Sequence, residues 1–168
     1  VVFDFDGTLV DTGTPETHKP IYKEKTGNDW PHVGWWGRAD SLDMDIFDFK
    51  AKSDVKAEYV KERANPNAMV VMLTGRRPKL SKEVKAILDS LGFRFDDYMY
   101  NYGSDTLSNK LEQIAKILSD NPSIESVRLL DDRNQHIPTF KEWGEGLKLM
   151  GRLKDFEMTH VHNPQWTK

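Results

Sequence analysis

Apolar residues in this chain fall into two distinct patterns. Short apolar runs occur at Val1–Phe5, interrupted only by Asp4, and at Ala68–Leu73, and Ser126–Leu130 reads as a further strand. Runs of about six apolar residues bounded by turn residues suit strands covered on both faces. Asn65-Pro66-Asn67 supplies such a boundary before the second run. Between the runs the spacing changes to a helical one. Leu80, Val84, Ile87, Leu88 and Leu91 follow the 3.6-residue period, and Gly92 suits the stop. Leu107, Leu111, Ile114, Ile117 and Leu118 do the same, and Asn121-Pro122 breaks that helix. Asp97–Tyr100 is a short strand candidate, and residues 134–150 read as helix perturbed by Pro138 and two glycines. Strands alternating with helices predict an α/β fold, a three-layer sandwich around a mainly parallel, Rossmann-like sheet.

Residues 12–64 depart from this rhythm. Lys52–Ala64 reads as helix through Val55, Tyr59 and Val60, but Asn28–Arg38 fits neither period. Irregular stretches of this length are functional or disordered, and Trp30, Trp35 and Trp36 argue against disorder. The segment is expected to be an insert within one domain spanning residues 1–168.

The chain has 168 residues, 30% charged and 38% apolar, which fits a single globular unit. Its net charge of −3 provides no global attraction to nucleic acid or anionic membrane. Without cysteine there is no disulfide partner and no thiolate metal site. No apolar run approaches the roughly 20 residues that span a bilayer, so no membrane partner is expected. No secretory leader is visible. Because the chain opens inside a strand without Met, a short preceding piece is expected, with a cytoplasmic location as the default.

The chemistry concentrates where apolar runs end. The first run delivers Asp4 and Asp6, then turns at Gly7-Thr8. Carboxylates at the C-terminal end of a strand are how an open α/β sheet builds a site. Two acids so close repel each other unless a cation neutralises them, and hard divalent cations such as Mg²⁺ take oxygen ligands of this kind. Asp4 also has the chemistry of a carboxylate nucleophile that forms an aspartyl-phosphate. The bland alternative is a strand-to-turn junction with solvated aspartates.

Residues 1–13 resemble motif I of the haloacid dehalogenase (HAD) superfamily, hydrophobic-D-x-D-G-T-L. Val70–Arg76 resembles motif II with Thr74 at the key position. Thr106–Lys110 resembles motif III, and Val127–Arg133 resembles motif IV with Asp131-Asp132. The resemblance implies that the insert at residues 12–64 is a small cap. It also implies Asp4 as nucleophile and Asp6 as general acid and base, with the Asp6 carbonyl also touching the metal. It implies Mg²⁺, with Mn²⁺ as a substitute, held by Asp4, Asp6, Asp132 and Asp131, with Asp132 favoured for direct ligation. Thr74 and the N–H groups at Gly75 would bind the phosphoryl group, and Lys110 would neutralise its charge. Thr74 capping the next turn and Lys110 on a solvated helix face are the plain alternatives.

Arg76 and Arg77 are candidates to grip a substrate phosphate. Trp35 and Trp36 are candidates to stack on a flat group or, alternatively, to anchor a lid. His136 reads as a helix-start or surface residue. The T-G-R-R and D-D-R motifs with a Trp-Trp insert look like the RNA-repair-associated (Swiss Army Knife) HAD phosphatases, and the phosphatase half of phage-type polynucleotide kinases shares D-D-R. The implied activity is phosphomonoester hydrolysis on a phosphorylated small molecule, a nucleotide or a nucleic-acid 3′-phosphate end. The rivals are a phosphotransferase and a non-catalytic phosphate-binding or regulatory module.

Overall fold

The computed structural model describes residues 1–166; the last two residues of the expected domain span lie outside the described residues. Five parallel strands form the central sheet: β1 (Val2–Phe3), β4 (Val71–Leu73), β5 (Asp97–Met99), β6 (Ser126–Asp131) and β7 (Asp155–His160), ordered β5-β4-β1-β6-β7. Between β1 and β4 the chain forms β2 (Val10–Asp11), α1 (Pro15–Thr26), β3 (Lys50–Ala51) and α2 (Ser53–Arg63). The later helices are α3 (Ser81–Ser90), α4 (Thr106–Asp120) and α5 (Ile137–Leu149).

Alternation along the strands creates the three layers. Phe3, Met72 and Leu130 face one side, where Val55 and Tyr59 of α2 and Val84, Ile87 and Leu88 of α3 cover them. Val2, Val71, Leu73 and Leu129 face the other, against Ile114, Ile117 and Leu118 of α4 and Phe140 of α5. Both sheet faces are therefore dry, which is why β1 and β4 are continuously apolar.

Within residues 12–64 the structure separates two parts. β2 and β3 pair antiparallel, and the chain between them makes an excursion over the sheet's carboxyl edge. α2, in contrast, is an ordinary covering helix of the sheet. α1 escapes the apolar-period reading because none of its residues is buried. It forms nonetheless because Thr14 caps it reciprocally with Thr17, Pro15 occupies its first turn and Gly27 ends it with φ 75°. β7 also lies beyond the sequence reading; its half-buried edge position gives it no continuous apolar run. Among the described residues, no helix is long and apolar enough to cross a membrane.

Candidate active site

β1 is the switch point of the sheet, with β4 on one side and β6 on the other. Such a crevice at the strands' carboxyl ends is where open α/β sheets bind ligands. Phe3 stands beside Leu130 in the β1–β6 register, so the next residues, Asp4 and Asp131, emerge as neighbours. Carboxylate oxygens of Asp4, Asp131 and Asp132 lie within 4.8 Å of one another, and all three residues are buried. Lys110, on the second turn of α4, reaches into this cluster, with Nζ 2.8 Å from Asp4 Oδ1 and 2.7 Å from Asp131 Oδ2. Its burial is the opposite of a solvated helix face. The helix start that aims it is fixed by Asp105, whose side chain accepts from the Ser108 N–H.

The turn after β1 completes the cluster. Leu9 and Val10 N–H groups donate to the Phe5 carbonyl, curling the chain so that Thr8 comes back over Asp4. The Thr8 hydroxyl lies 2.9 Å from Asp4 Oδ2 and 3.3 Å from Asp132 Oδ1. Gly7 has φ 72°, and a side chain there would collide with Asp132 and Asn163; glycine is the residue that accepts both conditions.

Three carboxylates thus face one ammonium with little water to screen them. Burial and the neighbouring Asp131 and Asp132 push the Asp4 carboxyl well above its usual range despite Lys110. Burial alone would lower Lys110, but Asp131 and Asp4 raise it, so it stays an ammonium. The donors are all hard oxygens and the cluster has surplus negative charge, so these residues could hold a divalent cation.

Asp6 is set apart from this triad. Its carboxylate is gripped by Arg76, with Nη2 2.7 Å from Oδ1, and accepts from the Thr12 hydroxyl at 2.6 Å. Burial would raise Asp6, but the charge and hydrogen bonds of Arg76, then Thr12, hold it below the usual carboxylate range. Arg76 itself is buried and also donates to the Trp36 carbonyl and Ser41 Oγ, each at 2.9 Å. The expected phosphate-gripping Arg76 is therefore already committed to Asp6 and the insert. Arg77 lines the same cavity beside it.

A cavity of ≈ 470 Å³ opens above the triad, walled by Trp36, Gly75, Arg77, Arg133, His136 and Trp166 among others. Thr74 is fully buried, off the cavity wall, and accepts the Arg76 N–H at 3.1 Å. Gly75 reaches the wall because nothing projects from it: a Cβ would meet Thr106 at 2.8 Å.

The tryptophan pair divides. Trp36 is 41% exposed on the rim, whereas Trp35 is 3% exposed, packed among Trp30, His18 and Phe47 and away from the cavity wall. The reading of Trp35 as a substrate contact thus meets a lid-anchoring position, because adjacent residues in irregular backbone point in different directions. His136 is buried at the turn before α5, with Nδ1 lacking a hydrogen-bond partner among the described residues, rather than lying on the surface. Asn163 and Trp166, which no sequence signal singled out, both bond Asp132 Oδ2.

The model of HAD domain family 1 in Swiss Army Knife RNA repair proteins matches residues 17–167. The chain belongs to this family. The parallel five-stranded sheet with helices on both faces is the HAD Rossmann-like fold. In this HAD domain, motifs II, III and IV fall inside the matched span, and Asp4 and Asp6 precede it. The family points to phosphatase-type chemistry on a phosphorylated substrate, and the buried acidic triad could bind the metal such chemistry uses.

Proposed function

We propose that this HAD domain is a Mg²⁺-dependent phosphomonoesterase that works through an aspartyl-phosphate on Asp4, acting on a nucleic-acid 3′-phosphate end or a nucleotide. The observation that carries the reading is the union of Asp4, Asp131, Asp132 and Lys110 in one buried cluster beneath an open cavity. Asp4, Asp132 and Asp131 would hold the cation, aided by the Asp6 carbonyl. Its chemistry would be to neutralise the acids and the incoming phosphate.

In the first half-reaction an Asp4 carboxylate oxygen attacks phosphorus, the phosphorus–ester oxygen bond breaks, and Asp6 gives its proton to the departing oxygen. In the second, water attacks the phosphoryl group, the Asp4–phosphorus bond breaks, and Asp6 takes the proton. Lys110 balances charge on Asp4 and on the phosphoryl oxygens. The resting pair with Arg76 keeps Asp6 in its base form, so protonation for the first half requires that grip to loosen as substrate arrives. Arg77 and Arg133 on the wall suit an anionic substrate, and the indole of Trp36 on the rim offers a flat face to a base.

The direct test is incubation with an aryl phosphate and with a 3′-phosphorylated oligonucleotide, with and without Mg²⁺. Release of inorganic phosphate from either, dependent on Mg²⁺ and absent in Asp4→Asn, supports the reading. No release from any phosphomonoester in the presence of Mg²⁺ overturns it in favour of a non-catalytic module. Transfer to an added alcohol instead of water reassigns it as a phosphotransferase.

A further inference from the structure

The segment after β7 has no counterpart in the motif chemistry, yet it reaches one of the three clustered acids. Beyond His160 the chain folds back across the loop that follows β1. Asn163 Nδ2 and Trp166 Nε1 each lie 2.7 Å from Asp132 Oδ2. The segment is itself held from several directions. Trp166 N–H donates to the Asn163 carbonyl at 3.0 Å, and Gln165 N–H to Asn163 Oδ1 at 3.2 Å. Asn134 Nδ2 donates to the Trp166 carbonyl at 2.7 Å, and the Arg133 guanidinium lies 5.3 Å over the indole. The Lys52 ammonium bridges the carbonyls of Gly7 and His162, tying the segment to the first loop.

The consequence falls on a single torsion. The terminal torsion of an aspartate is broad, so an unrestrained carboxylate has no single preferred aim. Here two donors hold Oδ2, and the other oxygen, Oδ1, is left facing the Thr8 hydroxyl that also touches Asp4. Partners of this kind orient metal-ligating carboxylates and raise affinity by removing the cost of ordering them. Two donors on one oxygen also exceed what simple anchoring of this segment needs, since backbone contacts and Asn134 already hold the turn.

We infer that Asn163 and Trp166 are positioning residues for the metal site, aiming Asp132 Oδ1 at the cation shared with Asp4. The inference rests on the acidic cluster's holding a divalent cation.

The test titrates the full chain with Mn²⁺, following free Mn²⁺ by electron paramagnetic resonance. Trp166→Phe keeps an aromatic ring, smaller than the indole, and removes the N–H; Asn163→Leu keeps the approximate size and removes the amide. Trp143→Phe, on the far helix α5, is the control for general destabilisation. Each of the first two variants should weaken Mn²⁺ binding about 10- to 100-fold. Their melting temperatures in chelator should fall no further than that of Trp143→Phe, which should bind Mn²⁺ like wild type. In turnover, the half-saturating Mn²⁺ should rise while kcat at saturating metal stays within about threefold, as expected when aim rather than chemistry is lost. Mn²⁺ affinities within about twofold of wild type in both variants would overturn the inference alone. Failure of wild type itself to bind Mn²⁺ would overturn the metal reading together with it.

Discussion

Arg76 grips Asp6 side-on with the Nε–Nη2 edge of its guanidinium, Nη2 lying 2.7 Å from Oδ1 and Nε 3.0 Å from Oδ2. The same guanidinium donates to the Trp36 carbonyl and Ser41 of the insert and sits 5.2 Å over the Trp36 ring. The proposed acid–base residue is thereby coupled to the insert through one buried cation.

Arg76→Gln should relax both connections. The pKa of Asp6, held low by Arg76, should rise when that charge is removed. The base form needed for dephosphorylation is lost as pH falls through this value, so the acid limb of that half-reaction should move to higher pH in the variant. Stability follows the same sign. A depressed carboxyl contributes above its unfolded pKa and loses that contribution as pH falls through the folded one. The stability gap between wild type and Arg76→Gln should therefore narrow on acidification. Stopped-flow dephosphorylation across pH, beside denaturant titrations, checks both; an unmoved limb removes Arg76 from the control of Asp6.

Asp4→Asn should separate activity from stability. Turnover should fall by roughly a thousandfold or more if a covalent nucleophile is lost. In chelator the same variant should be more stable, by about 1 kcal/mol, because one of three crowded buried carboxylates becomes neutral while Lys110 keeps Asp131. Residual activity above about a tenth of wild type would reject the nucleophile assignment.

Mg²⁺ should stabilise the folded chain by mass action. At about a hundred times its dissociation constant the gain is roughly 2.7 kcal/mol. Melting curves in chelator and in graded Mg²⁺ report it, and Asp132→Asn should flatten the response. Activity should vanish in chelator and return with Mg²⁺ or Mn²⁺; full turnover in excess chelator points to metal-free chemistry.

The two adjacent tryptophans should fail differently. Trp36→Ala removes a half-exposed rim contact, so KM should rise for a nucleotide-sized substrate and hardly change for a small aryl phosphate. Trp35→Ala empties a buried aromatic site and should cost about 3–5 kcal/mol with no change in substrate preference. Melting temperature measured beside the two KM values distinguishes them.

The sequence by itself determined the features that short-range chemistry can dictate. β4 lies within a continuous apolar run because both sheet faces are covered there. α3 and α4 lie where the 3.6-residue period runs, since each buries one stripe. The carboxylates at the ends of β1 and β6 were legible as candidate chemistry because open α/β sheets bind ligands at the carboxyl ends of their strands. α1 was legible in principle through its Thr14 cap, Pro15 and Gly27, but not through periodicity, since it meets the core only through the partly buried Ile21 and Tyr22.

Only the tertiary structure decided how these groups are partnered. The Arg76–Asp6 grip joins residues 70 apart, and the bonds of Asn163 and Trp166 to Asp132 span 31 and 34 residues. Arg76 and Arg77 are indistinguishable as neighbours in sequence, yet Arg76 is buried in an ion pair with Asp6 and Arg77 is exposed at the same cavity. Trp35 and Trp36 part in the same way. The physical reason is that a side chain's partner is fixed by which backbone segments cross at the sheet edge. Apolar pattern selects the elements that pack, but carries no record of which polar atoms meet once they have.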